Sequence, residues 1–212
     1  MLQLGARLVP ALAMGDKIIP AKILETVAQF VGVKGPGHVP LPPEELFNKW
    51  RTVLRAAQRY VRQVPQDRLH QSAQPNRKKP LQLVAYQIFC IGEGYLECVI
   101  NGDPDLAALV AKKPADGTCI TGAEIARYGD EVIANLERWW TGFPAASFQK
   151  KMEVIGLGDV SIHQVLERST WHSAHHTRQL ADVLDQQGIQ PDVRLTAENL
   201  AGLPLPQRLW DP

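Results

Sequence analysis

The segment Glu167–Leu180, ERSTWHSAHHTRQL, carries the pattern that says most about this protein. Helical periodicity predicts one inward face made of Ile162, Val165, Ser169, His172, His176, Leu180 and Val183. At about 100° per residue, His172 and His176 lie one helical turn apart on that face. The sequence therefore predicts two imidazoles directed into an apolar core. A different face, exposed to solvent or at an interface, is expected to hold His175, Arg168, Trp171, Arg178 and Asp182.

Three more helices are predicted before this one. They cover about 43–64, about 80–100 and a stretch that opens with the capping box Thr121–Glu124; the fourth covers about 161–187. The helix at 80–100 is apolar nearly all round, which predicts that it is the most enclosed. We therefore expect a mainly α protein in which residues 43–188 form a four-helix bundle. Loops of roughly 15 to 20 residues predict at least one crossover or site-forming loop.

The two ends of the chain differ from the bundle. In residues 1–34, an apolar run at 9–14, the turn Gly15-Asp16, a return strand at 17–19 and helical spacing at 21–31 predict a β-hairpin followed by a helix. Residues 35–42, GPGHVPLP, form a Gly/Pro linker and mark a domain boundary. The Pro-rich tail, residues 189–212, is expected to pack as an extended strap.

Composition narrows the class of protein. A net charge of +1 gives no field that would gather nucleic acid or an acidic membrane, and 45% hydrophobic residues are enough for an ordinary core. We therefore expect neither nucleic acid nor a membrane as partner. The three cysteines form no C-x-x-C pair, which favours a reducing cytoplasm over a disulfide framework.

A buried imidazole needs a partner, because an unpaired buried polar group costs about 1–3 kcal/mol. One solution is a divalent metal held by His172 and His176, since histidines at i and i+4 suit a metal geometrically. The other is hydrogen bonding to Ser169, Gln87 or water. Gln87 is either a weak third ligand or a buried amide. Cys90, close to it, is either a thiolate ligand or a small buried hydrophobic residue.

At these residues the chain resembles the DinB/YfiT-like superfamily of metalloenzymes. The likeness covers residues 43–188 and depends on helix order, on LVAYQIFCIGEGYLE (83–97) and on WHSAHHTRQL (171–180). It implies that His172 and His176 are the paired ligands of a zinc, nickel or iron ion, and that Gln87 stands where the family has its first histidine. Side chains expected to support these ligands are Ser169, His175 and Cys90.

The family includes thiol-dependent enzymes such as mycothiol-dependent maleylpyruvate isomerase and bacillithiol transferases, in which the metal activates a thiol.

A second resemblance concerns residues 4–33, LGARLVPALAMGDKIIPAKILETVAQFVGV, which look like the C-terminal half of a glutaredoxin, that is, half of a thioredoxin-like domain. It implies that Val9 and Pro10 form the step that holds the glutathione backbone. Glutathione is therefore the expected thiol.

Taken together, these features predict a cytoplasmic, homodimeric, metal-assisted and glutathione-dependent transferase or isomerase that acts on an electrophilic small molecule. Arg178 would orient an acidic substrate, unless it only pairs with Asp182 four residues on. The alternative is a catalytically silent DinB-like module for binding or dimerisation, with a degenerate metal site. The glutamine at position 87 favours this alternative.

Overall fold

The computed structural model describes residues 11–20, 27–28, 30–32, 38–74 and 79–210. Within these ranges the protein is mainly helical. The helices are α1 (Pro43–Gln63), α2 (Gln66–Leu69), α3 (Leu81–Asn101), α4 (Leu106–Val110), α5 (Gly122–Gly142), α6 (Ile162–Gln186) and α7 (Ala197–Leu200). A 3-10 helix covers Ala145–Gln149, and the strands are β1 (Ala11–Met14), β2 (Lys17–Pro20), β3 (Lys151–Val154) and β4 (Gly158–Ser161). The four long helices start where the sequence predicts, to within a residue.

The four long helices pack as a bundle. α1 and α3 each pack mainly against α5 and α6, so α1 lies diagonally opposite α3, and α5 opposite α6. The chain therefore crosses the bundle between α1 and α3 and again between α5 and α6, which confirms the predicted crossover. Large side chains that are fully buried fill the centre, among them Trp50, Leu54, Tyr60, Phe89, Ile91, Tyr95 and Leu136.

Helix α3 is enclosed, as predicted. By length and composition it could cross a membrane, with a mean hydropathy of 1.4, but 61% of its most apolar window is buried inside the bundle. Its glycines let α5 approach closely. A Cβ atom on Gly92 would lie 2.7 Å from the Val132 side chain, and one on Gly129 of α5 would lie 2.6 Å from the Phe89 ring. The apolar composition of α3 is thus explained by its place in the core.

Local signals explain the helix starts. Proline and two glutamates stand in the first turn of α1, where a missing N–H does no harm and negative charge is favourable. Thr121 and Glu124 form a complete capping box at α5, and Ser161 and Gln164 form another at α6.

A second hairpin, β3–β4, occupies the connection before α6 and was not predicted. Its strands pair from Lys151↔Ser161 to Val154↔Gly158, and the turn between them uses positive φ angles at Gly156 and Gly158. The sequence GLGD at 156–159 belongs to this turn. This hairpin lies in the long connection between α5 and α6, and α4 lies in the one between α3 and α5.

The N-terminal hairpin is confirmed. Strand β1 pairs with β2 in antiparallel register, with Met14 opposite Lys17 across the Gly15-Asp16 turn. Val27, Ala28 and Phe30 are helical, and the rest of the predicted helix at 21–31, apart from Val31, lies outside the described residues. Just before α1, the chain is tied to α6. His38 contacts the Glu167 carboxylate at 2.6 Å, and the His163 ring donates to the Leu41 carbonyl at 2.8 Å.

The C-terminal tail crosses α1 and α6 as a strap, as predicted, although it is not extended throughout. Thr196 caps the short helix α7 in its middle. The Leu195 N–H donates to the Tyr60 hydroxyl at 2.8 Å, and the Trp210 indole donates to the Asp182 carboxylate at 2.8 Å. These bonds hold the tail against the side of α6 that the sequence assigned to solvent or an interface.

Candidate functional site

His172 and His176 of α6 lie at the edge of the most deeply buried face of the helix, not at its centre. The aliphatic neighbours and Ser169 on the predicted inward face are buried, but His172 and His176 are half-buried. The deepest positions belong to Ser173 and Thr177, both fully buried. Ser173 accepts from the Trp50 indole at 2.9 Å and donates to a carbonyl of α3 at 3.1 Å. Ser173 can lie at the centre of the buried face because its hydroxyl is hydrogen-bonded to both neighbouring helices.

The two imidazoles adjoin each other as the spacing predicts. The ring centroids of His172 and His176 are 4.9 Å apart, with 41° between the ring planes. Nδ1 of His172 lies out of solvent and has no hydrogen-bond partner among the described residues. Burial lowers the pKa of His172 well below its usual value, and the positive charges of His176, Arg168, His175 and Lys79 lower it further. His172 is therefore neutral at pH 7.

Gln179, which the sequence reasoning missed, orders the other two histidines. The Nδ1–H of His176 donates to the Gln179 amide oxygen at 2.7 Å. The Gln179 amide nitrogen donates to Nε2 of His175 at 3.1 Å and to the Leu209 carbonyl at 2.8 Å. The spacing of three and four residues along α6 could have suggested these pairs. The link to Leu209 could not be read from the sequence, because it depends on the strap.

Gln87, the predicted third ligand, is engaged by a cation. The Lys79 ammonium donates a hydrogen bond to the Gln87 amide oxygen, and the same charge acts on His172. The beginning of α3 and the middle of α6 thus bring Lys79, Gln87, Arg168, His172 and His176 into one neighbourhood, called here the α3–α6 cluster. Lys79 thus bonds Gln87 and acts electrostatically on His172, and the role of Gln87 as a ligand stays a prediction.

The donors in the α3–α6 cluster do not fit a three-ligand metal site. Among the described residues, no group of three or more His, Cys, Asp or Glu side chains could hold an ion. The Gln87 oxygen already accepts from an ammonium, and the charges of Lys79 and Arg168 oppose a zinc, nickel or iron dication. Burial raises the pKa of Cys90 to about 11, and its Sγ–H donates to the Leu109 carbonyl. Cys90 is therefore a buried thiol, not a thiolate ligand.

Arg168 and Ser169 lie next to the histidines on α6. The sequence placed Arg168 on an outer face, but its Nε atom is out of solvent and has no hydrogen-bond partner within the described part of the chain. The guanidinium lies 5.8 Å from the centre of the Trp171 ring. Ser169 is only 1% exposed, and its hydroxyl also lacks a partner there. The supporting role predicted for Ser169 is compatible with this position, since the hydroxyl is free to bond a ligand.

The remaining predicted residues lie elsewhere. Arg178 donates to the Pro206 carbonyl of the strap at 3.1 Å, so it anchors the tail; Asp182 instead accepts from Trp210 and Gln186. Val9 and Pro10 lie outside the described residues, and the glutathione-holding step stays a prediction.

No model of a known protein family matches this chain. No curated protein matches it either. The function is therefore inferred from the α3–α6 cluster and from the resemblances in the sequence.

Proposed function

We propose that this protein is a DinB-like, thiol-dependent transferase or isomerase of the cytoplasm, and that it binds a small thiol, glutathione in the first instance, at the α3–α6 cluster. The observation that supports this most directly is the unpartnered Nδ1 of His172, placed among cationic side chains. A buried acceptor without a partner is rare in native proteins, and a ligand that donates a hydrogen bond there would satisfy it.

The chemistry of a thiol suits this environment. The S–H group donates to the neutral His172 ring, which takes the proton as the thiolate forms. Nearby positive charges from Lys79 and Arg168 stabilise the sulfur anion, as cationic neighbours do for reactive cysteines. The thiolate then forms a bond to an electrophilic carbon, and the leaving group departs with its electron pair and receives the proton from His172. Because a ring of low pKa is a weak base, the first transfer depends on the cationic neighbours that stabilise the thiolate. The imidazolium formed is a strong acid and returns the proton readily.

The surrounding fold supports the same proposal. The order of four long helices, the paired histidines on the last of them and the N-terminal hairpin all agree with the DinB-like and glutaredoxin-like resemblances. Among the described residues, no third His, Cys, Asp or Glu joins the two histidines to hold the metal that the DinB-like resemblance implies. The mechanism above therefore assigns thiol activation to side chains of this chain.

Binding and turnover test the proposal separately. Calorimetric titration of the full chain with reduced glutathione should give saturable binding. S-methylglutathione should bind more weakly, because it has no S–H to donate. Conjugation to 1-chloro-2,4-dinitrobenzene should slow about 10²–10⁴-fold in His172→Gln, the range typical of a general base. The exposed His70→Gln is the matched control and should leave the rate unchanged. Absence of glutathione binding at millimolar concentration would refute the proposal.

A second candidate function has its own support. Lys79 occupies the Gln87 oxygen, at the position where the family's first histidine is expected. This favours a module that binds a small molecule or forms a homodimer but does not catalyse a reaction. Glutathione binding without turnover of any of several electrophiles would favour this candidate, and sedimentation would show whether the chain is dimeric.

A further inference from the structure

Arg168 carries a guanidinium that no anion among the described residues neutralises. It lies on α6 one turn before His172, beside a depression lined by Leu106, Ala107, Val110, Val154, Ile155 and Leu157. Among the residues that the structure describes, no acidic side chain forms an ion pair with Arg168. The adjacent Glu167 carboxylate is taken by His38 at 2.6 Å. In the described part of the chain, the group that attracts its charge is the ring of Trp171.

The half-buried guanidinium of Arg168 lowers the stability of the folded protein. A cation withdrawn from water is destabilising unless an anion compensates it, and burial lowers the pKa of Arg168 accordingly. Two further buried polar atoms in the same stretch of α6, the Ser169 hydroxyl and Nδ1 of His172, also lack partners among the described residues. Ser169 is 99% buried and cannot turn to water. The Nε–H of Arg168 and the hydroxyl of Ser169 are both donors, which indicates a ligand with oxygen acceptors.

We propose that Arg168 binds the carboxylate of a small organic acid whose hydrocarbon part covers the apolar depression between α4 and the β3–β4 turn. A guanidinium fork matches the two oxygens of a planar carboxylate. The depression is shallow, with a volume of about 10 Å³, and aliphatic side chains line it. A hydrocarbon body would therefore lie over it and not inside it, which still suits a monoanion with an apolar body better than a phosphate. The inference rests on the proposed function in one respect: the acid is then the electrophilic substrate, held one turn from the thiol at His172.

Calorimetric titration of the full chain with hexanoate tests this site directly. Hexanoate should bind at least about tenfold more tightly than hexanol, the loss expected when a charged hydrogen bond is absent. Arg168→Met should reduce hexanoate affinity by about tenfold or more, whereas the exposed Arg138→Met should stay within about twofold. Without ligand, Arg168→Met should raise the melting temperature, because an uncompensated buried cation is replaced by an apolar side chain of similar length.

A second pair of variants does not alter Arg168. Ala107 is exposed and lines the depression, and Ala108 is exposed on the same helix but does not line it. Ala107→Glu places a carboxylate beside Arg168 and should abolish hexanoate binding, and Ala108→Glu should preserve it. Equal binding of hexanoate to Ala107→Glu and to the wild type would overturn the proposal. So would inorganic phosphate that binds as tightly as hexanoate and depends equally on Arg168.

The two proposals fail separately. Hexanoate binding that depends on Arg168, without glutathione binding, refutes the thiol function and leaves the carboxylate site in place. Glutathione binding that depends on His172, with no measurable affinity for hexanoate, refutes only the carboxylate site.

Discussion

At the scale of single residues, the α3–α6 cluster is governed by charge. Burial keeps the His172 imidazole neutral, and the charges of Arg168 and Lys79 add to this effect and oppose a dication. The same charges attract thiolates and carboxylates. Histidines spaced for a metal are thus placed in surroundings that favour an anion. Arg168 contributes from α6 itself, and Lys79, which bonds Gln87, contributes from outside that helix.

His172 should make stability depend on pH. Its pKa is lower in the native protein than the usual 6.5, so below about pH 6.5 the unfolded chain takes up a proton that the native chain does not. The contribution is therefore present above pH 6.5 and is lost as pH falls, with a limiting slope of about 1.4 kcal/mol per pH unit. Urea unfolding between pH 7.5 and 5.5 should show a shallower dependence for His172→Gln than for wild type. The exposed His70→Gln should keep the wild-type slope, and identical slopes for all three proteins would contradict the prediction.

Lys79 should control whether the histidine pair can accept a metal. Gln87→His alone adds a donor next to an ammonium and should raise zinc affinity only slightly. Lys79→Gln combined with Gln87→His removes that charge and should raise it by about tenfold or more, because each unit charge at close range is worth on the order of 1–4 kcal/mol. Zinc competition with a coloured chelator measures this. Lys113→Gln with Gln87→His, which removes an exposed lysine elsewhere, is the control. Full zinc occupancy with Gln87→His alone would show that Lys79 does not oppose the ion.

At the scale of elements, the spacing of α3 and α5 depends on glycine. Gly129 lies against the Phe89 ring, and Gly92 lies against Val132, so each helix presents a smooth patch to a large side chain of the other. Helix α6 instead packs through small polar residues, with Ser173 linked to both α1 and α3. These contacts fix the relative positions of α3 and α6, and therefore of the side chains that form the α3–α6 cluster.

Gly129→Ala should therefore destabilise the protein although alanine is the better helix former. The new methyl group would lie 2.6 Å from the Phe89 ring, and overpacking of this kind costs about 1–3 kcal/mol, against a helix-propensity gain of about 1 kcal/mol. Gly142→Ala, at the exposed end of α5 with open space around it, should be neutral or slightly stabilising. Chemical denaturation compares the two variants, and equal free energies of unfolding would show that α3 and α5 can separate at no cost.

At the scale of the whole molecule, the strap connects the tail to the site. Leu209 receives a hydrogen bond from Gln179, which in turn bonds both His175 and His176. Trp210 and Pro206 bond Asp182 and Arg178 on the adjoining turn of α6. The last residues of the described chain thus order histidines more than thirty positions earlier.

Trp210→Phe should loosen this connection without removing its apolar packing. The loss of the indole N–H leaves the Asp182 carboxylate with one donor fewer, which should cost about 1–2 kcal/mol of unfolding free energy. A chain ended after Gln190 should lose considerably more, and the ring resonances of His175 and His176 should shift in its NMR spectrum. Unchanged histidine resonances in the shortened chain would show that the strap does not order the site.

The sequence by itself determined the elements, because their causes are local. Apolar residues at helical spacing, the Thr121 and Ser161 capping boxes and the Gly15-Asp16 turn each act within a few residues of the chain. The proximity of His172 and His176 follows from one helical turn in the same way. Periodicity does not predict the hairpin β3–β4, because each of its strands has four residues and the two alternate poorly.

Only the tertiary structure decided the character of the site. Lys79 meets Gln87 and acts on His172, Arg168 lies beside α4 and β3–β4, and Gln179 reaches Leu209, each because separate elements pack at particular places. Periodicity assigns a residue to a face of its own helix, but it does not say what covers that face. The sequence assigned Arg168 to a solvent or interface face, whereas in the structure α4 and β3–β4 leave it half-buried, with no anion beside it among the described residues.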